Sequence, residues 1–242
     1  MTDYKDKYLK YKTKYINLKS LIQTGGAKIS DIEETMISIE TLDGKPTNDT
    51  ELIIIPGFSN SSYERNYNTL FEYYDIKLDV NKFKKVHLIK FQDNDEFSIR
   101  NIHGELLAKD VNLENELYKK LAEIIRNKLK PANYTILAKS AGGGVGIYLS
   151  ELIYSQINKL LLFAPGVGYI NHDLKRLKLD EDKIIVGWNR EDTKVKMEKI
   201  WPVLETILPK TKVLLFNMDI NNLGLSVDTQ HEINSQFIEN VY

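Results

Sequence analysis

"ILAKSAGGGVGIYLS" runs from Ile136 to Ser150. An apolar run ends at Ser140, glycines fill positions 142–144, and apolar residues then resume. The stretch reads as a strand, a turn and a helix joined through the smallest residues available. Two chemistries call for glycines behind such a strand. The glycines cradle a phosphate, or they let the serine occupy a turn too sharp for larger neighbours. A phosphate loop needs Gly-x4-Gly-Lys-Ser/Thr, and no Lys-Ser/Thr follows here. A dinucleotide fingerprint needs Gly-x-Gly-x-x-Gly, and counting from Gly142 or Gly144 the third glycine is missing. Both phosphate readings fail on spacing. The serine reading holds, because the residues two before and two after Ser140 must be small in a strained turn, and they are Ala138 and Gly142.

Strands and helices alternate on either side of this stretch. "MISIET" alternates faces, and "LDGKPTND" carries turn residues. "ELIIIPGF" is a continuous apolar run cut at Pro56 and Gly57, the pattern of a strand buried on both faces. "KVHLIKF" (Lys85 to Phe91) is the next strand. Leu113, Leu117, Leu121, Ile125 and Leu129 recur every four residues, a helix ended by Pro131. After Ser150 come the strands "KLLLFAPG", "KIIVGW" and "KVLLFNMD", with helices predicted around Lys194 to Leu208 and His231 to Val241. Such alternation implies right-handed crossovers and an α/β fold: a mostly parallel sheet with helices on both faces. In such a sheet chemistry collects beyond the carboxyl ends of the strands, where Ser140 sits.

The motif "AKSAG" resembles the Gly-x-Ser-x-Gly nucleophile elbow of the α/β-hydrolase family, with Ala138 in place of the first glycine. The resemblance spans roughly residues 36 to 242 and implies an α/β-hydrolase fold and a serine hydrolase. It implies Ser140 as nucleophile and the amide of Ala141 as one oxyanion donor, at the positive end of the following helix. A second donor should come from the loop "IIIPGFSNSS". There Gly57 matches the family's glycine and Pro56 replaces its histidine. The amide of Phe58 is the candidate donor and Ser59 the fallback. A serine needs a base, and the base an orienting acid. The family order Ser, Asp/Glu, His leaves His172 and His231 as bases, and His231, after the last strand, is preferred. The acid should follow "KIIVGW", where "GWNREDTKV" offers Glu191 and Asp192. Asp192 is preferred, just before an apolar helix start. Gly57, Ser59 and Trp188 are the candidate substrate contacts, with Tyr63 a further aromatic near a strand end. The short stretch from Pro165 to Lys183 implies a small or absent lid and an accessible acyl substrate: an ester, thioester or amide. An acyltransferase would use the same triad, and a hydrolase-fold binding protein without turnover would keep the same frame.

The remaining observations bound these readings. The chain has 242 residues, 42% of them hydrophobic, enough for one sizeable core, and its net charge is -1. Nothing global points to nucleic acid as a partner. Cysteine is absent, which removes thiolate metal sites and thiol nucleophiles. "HEINS" lacks the second histidine of a zinc helix, and His87 and His103 show no ligand spacing, so neither a metal nor a cofactor is expected. No apolar stretch reaches transmembrane length. The first segment stands apart. Tyr4, Tyr8, Tyr11, Tyr15, Leu18 and Ile22 form a seam on a lysine-rich helix, which ends at Gly25-Gly26. It divides the chain into a leader, residues 1–28, and a hydrolase-like domain, 29–242. The helix reads either as a solvated element that packs on the domain or frays, or as a docking or self-association tag; it resembles the Tyr/Lys-rich leaders of giant DNA virus proteins, which implies an origin, cytoplasmic or virion-associated, and no chemistry. It has no secretory h-region.

Overall fold

The computed structural model describes residues 29, 32–44, 49–58, 79–91, 99, 102–104, 111–167, 177–217, 231, 233 and 235–242. The expected leader helix, Ser59, Tyr63 and His172 lie outside them, as do residues 168–176 of the short stretch where a lid would insert.

The strands are β1 (Ile37–Asp43), β2 (Thr50–Ile55), β3 (Lys85–Phe91), β4 (Asn133–Lys139), β5 (Ile157–Phe163), β6 (Ile184–Asn189) and β7 (Val213–Phe216). The helices are α1 (Val111–Lys128), α2 (Gly142–Leu152), α3 (Met197–Ile207) and a short α4 (Ser235–Ile238). All seven strands form one sheet in the order β1-β3-β2-β4-β5-β6-β7. Every pairing is parallel except β1 with β3, which is antiparallel. The mostly parallel sheet expected from the sequence is therefore present.

Burial follows from that topology. From Glu51 to Ile55, β2 is buried throughout, because both its faces are covered. Along β1 the residues grow more exposed toward Asp43, as befits an edge strand. Side-chain alternation separates the two faces. Ala138 of β4 pairs with Leu162 of β5, and Lys139 with Phe163. A β-carbon added at Gly146 of α2 would come within 2.7 Å of Ala138 Cβ, so α2 lies on the Ala138 face. Phe163 points the other way and meets Phe237 of α4 at 5.1 Å between ring centroids. Helices thus cover both faces.

The position of the site follows from strand order. From β2 the chain moves outward to β3, then crosses back to β4 on the other side of β2. Such a reversal opens a crevice at the carboxyl ends of the two strands. The residues that emerge there are Pro56, Gly57 and Phe58 after β2, and Ser140 after β4.

Candidate active site

Ser140 has φ 54°, in the left-handed region that a non-glycine residue rarely takes. Such a backbone costs roughly 1–3 kcal/mol and persists only where its surroundings enforce it. They do so here by hydrogen bonding. The Ser140 amide donates to the Phe163 carbonyl at 3.1 Å, and the Ser140 carbonyl accepts from the amides of Gly143 at 2.8 Å and Gly166 at 2.7 Å. The turn therefore satisfies its own polar groups while forcing the chain directly from β4 into α2.

Crowding explains the small residues around it. A β-carbon at Gly142 would lie 2.2 Å from the Pro56 carbonyl oxygen, so the helix start presses on the end of β2. One at Gly144 would lie 2.4 Å from the Tyr118 ring of α1. One at Gly57 would stand 3.1 Å from Ser140 Cβ and 3.4 Å from its Oγ, which puts the β2 loop beside the hydroxyl. The glycines behind the serine serve close approach. Ser140 itself is half-buried.

The other half of the site comes from the far end of the sheet. Asp192 follows β6. Its Oδ1 accepts from the amides of Lys194 at 2.9 Å and Val195 at 3.0 Å. Its Oδ2 lies 2.7 Å from His231 Nδ1. Both side chains are buried. A carboxylate only accepts, so Nδ1 is the donor in this pair. Glu191, the competing acid, is exposed. The structure thus brings Asp192 and His231 together. Among the described residues no hydrogen bond joins His231 to Ser140.

Ser140 borders a cavity of about 390 Å³, and the loop that follows Asp192 borders it too, while Asp192 and His231 themselves do not line it. Ser140, Ala141 and Gly166 line one side, and the loop from Thr193 to Lys196 lines another. A larger cavity of about 990 Å³ lies over β1 and β3 and touches none of Ser140, Asp192 and His231. It holds a His87–Glu51 pair at 2.7 Å. No group of three metal-ligating side chains occurs among the described residues.

One expectation needs correction. Trp188 does not contact the cavity. Its side chain is fully buried, and its Nε1–H donates to the Val195 carbonyl at 2.8 Å. A position near a strand end gave its place along β6 but not the direction of its ring. Its role is to pin the loop that carries Asp192. The Phe58 ring likewise turns into the core, edge-on to Phe91 at 5.0 Å and His103 at 5.1 Å. Only its backbone is left for the crevice.

Sequence reasoning overlooked a polar cluster on the same cavity. His103 Nε2 lies 3.1 Å from both Glu114 Oε1 and the Tyr118 hydroxyl. That hydroxyl is 2.5 Å from Glu114 Oε1 and 2.9 Å from the Gly166 carbonyl. Burial, followed by the Glu114 carboxylate, pushes the Tyr118 phenol well above its ordinary range, so it remains a donor. The available signal was Glu114 and Tyr118 at i and i+4, flanking the leucine ladder of α1.

Solved structures with this architecture were found. A hydrolase from Agrobacterium vitis S4 superposes with a TM-score of 0.52 at 11% identity, covering 85% of this chain and 92% of its own. An α/β serine hydrolase homologue from Coxiella burnetii gives 0.51 at 14% identity, covering 85% and 91%. This chain has the α/β-hydrolase fold. A hydrolase from Thermoplasma acidophilum, at 0.50 and 16% identity, covers 78% of this chain and 85% of its own. At such identities the likeness concerns architecture alone. No protein-family model and no curated protein sequence matches the chain. Among the described residues no helix is long and apolar enough to cross a membrane.

Proposed function

We propose that this protein is a serine hydrolase that cleaves an ester, thioester or amide through an acyl-enzyme on Ser140. The reading is carried by one observation, the left-handed Ser140 at the switch point of the sheet. It is supported by the buried Asp192–His231 pair, whose Asp192 stands directly before the loop that borders the same cavity.

In this mechanism His231 Nε2 removes the Ser140 proton as Oγ attacks the acyl carbonyl. Asp192 holds the imidazole in the required tautomer and stabilises the imidazolium that forms. The amides of Ala141 and Phe58 receive the developing oxyanion, each worth about 3–4 kcal/mol in comparable sites. His231 then returns the proton to the leaving group. Water, deprotonated by the same imidazole, releases the acyl group and restores Ser140. Closure of the catalytic hydrogen bond from Ser140 to His231 accompanies substrate binding.

The test is covalent. A fluorophosphonate probe should label the protein at Ser140, and Ser140→Ala should abolish both labelling and hydrolysis of activated esters. Folded protein that neither labels nor turns over any activated ester would sink the reading and leave a hydrolase fold that serves in binding.

A further inference from the structure

One wall of the cavity that Ser140 borders is basic. Lys194, Lys196 and Lys199 line it together with Val195 and Ile200. Lys196, Lys199 and Ile200 stand at i, i+3 and i+4 where α3 begins, a spacing that shares one helix face. That face is the one turned to the cavity, since Met197 and Glu198, which fall between them, do not line it. Helical side chains also lean toward the N-terminus of their helix, which carries Lys199 back toward the loop from Thr193 to Lys196. Both Lys196 and Lys199 are exposed, so a solute can reach them. Among the described residues neither has an ion-pair partner. The carboxylate on the cavity wall, Glu114, is already bonded to His103 and Tyr118. The whole chain carries only -1, so this excess of positive charge is local. In a cleft with low-dielectric walls such charge concentrates solutes of the opposite sign.

We infer that the cavity selects anionic substrates: small esters, or their thioester and amide equivalents, that carry a carboxylate close to the bond to be cleaved. Lys196 and Lys199 face that carboxylate while Ser140 faces the carbonyl. The size of the cavity, about 390 Å³, lies near the lower end of the range for ligand pockets, roughly 300–1,000 Å³, and suits a short chain. The same positive wall disfavours an ammonium group, so the charge sets the sign of the preference as well as its strength. The inference takes its reaction from the hydrolase reading, but its test does not depend on turnover.

Full-length Ser140→Ala protein is titrated by NMR with monomethyl succinate, acetoxyacetate, methyl butyrate and methyl 4-aminobutyrate. The first carries its carboxylate on the acyl group and the second on the leaving group; the third is neutral and the fourth cationic. At low salt at least one anionic ester should bind about fivefold or more tightly than methyl butyrate. The tighter of the two reveals which side of the scissile bond meets the lysines. The amides of Ala141 and Gly166, on the cavity wall, should shift as it binds. Adding Lys196→Glu and Lys199→Glu together should turn the preference to methyl 4-aminobutyrate. The inference is overturned if neither anionic ester gains over methyl butyrate, if the gain survives the charge reversal, or if Ala141 and Gly166 do not respond. Should the charge-reversed protein fail to fold, salt decides. Raising it from about 10 mM to about 1 M shortens the screening length from about 30 to about 3 Å, and the anionic advantage must collapse; an advantage indifferent to salt overturns the assignment. Fluorophosphonate labelling of Ser140 without any anionic preference would remove this inference and leave the hydrolase reading. The preference without labelling would do the reverse.

Discussion

Around Ser140 the neighbours touch: Gly142 meets the Pro56 carbonyl, Gly144 the Tyr118 ring, and Gly57 the serine side chain. Around Asp192 they are tied instead. Two loop amides hold one oxygen, His231 the other, and the Trp188 indole clasps the loop from beneath. The first region is fixed by volume, the second by directional bonds. Volume tolerates almost no substitution but needs only local residues. Directional bonds tolerate changes in shape and allow groups far apart in sequence to be gathered at one place. The difference predicts that damage to each region will register in a different measurement.

The largest effect should come from the bonded region. Asp192→Asn preserves volume but withdraws the charge and tautomer control at His231. Ester hydrolysis should fall by roughly 10⁴-fold in kcat, as for triad acids generally, while thermal unfolding stays close to the parent. A large drop in Tm with little change in kcat would reverse the assignment of the two regions. Next is Gly142→Ala. Its methyl group would overlap the Pro56 and Ile55 carbonyl oxygens, so β2 and α2 must separate. Denaturant unfolding should show a loss of about 3 kcal/mol or more. Unfolding indistinguishable from the parent would mean that the packing there is looser than described.

Trp188→Phe sharpens the comparison because it touches both kinds of constraint. It removes the indole bond to Val195, worth about 1 kcal/mol, and leaves some space in the core. Stability should decline modestly. Because Val195 also donates to Asp192, kcat should fall while KM stays nearly constant. A change in KM alone would return Trp188 to the substrate pocket.

The smallest effect belongs to neither region. Tyr134, beneath the β1 edge, has its phenol pushed up to about 12, first by burial and then by the Glu51 carboxylate. An unfolded tyrosine ionises near about 10. Below that value both states are protonated and the stabilising contribution is complete. Between about 10 and 12 only the unfolded chain releases the proton, so stability falls as pH rises. Tyr134→Phe should flatten that part of an alkaline Tm profile. An unchanged slope would assign the decline to other groups, with Tyr118 the first to examine.

The sheet was legible because each strand carries its own signature. β2 has an unbroken apolar run, β1 alternates, and small residues follow β4 directly after Lys139. The direction of β1 was not legible, since alternation reveals a strand's faces but not its partner. Ser140 was legible because steric demand is local and leaves small residues at fixed offsets. Asp192 and His231 were approachable only through their order along the chain, because 39 residues separate them and nothing in either segment records the other. The link between His103 and Glu114 left no such trace. Trp188 shows the limit of reading from strand ends, where the position is fixed but the side chain is free to turn inward.

Ala164 shares the left-handed backbone of Ser140, with φ 42°, at the exit of the neighbouring strand. It is completely enclosed, and its amide reaches across to the Gly187 carbonyl at 2.8 Å. The bend is thus not reserved for reactivity. It is how this sheet releases two adjacent strands toward the same rim. A hydroxyl grafted onto Ala164 would be sealed from any solute, unlike that of the half-buried Ser140. Relieving the bend with glycine at 164 offers a route to a sturdier molecule that leaves Ser140 untouched.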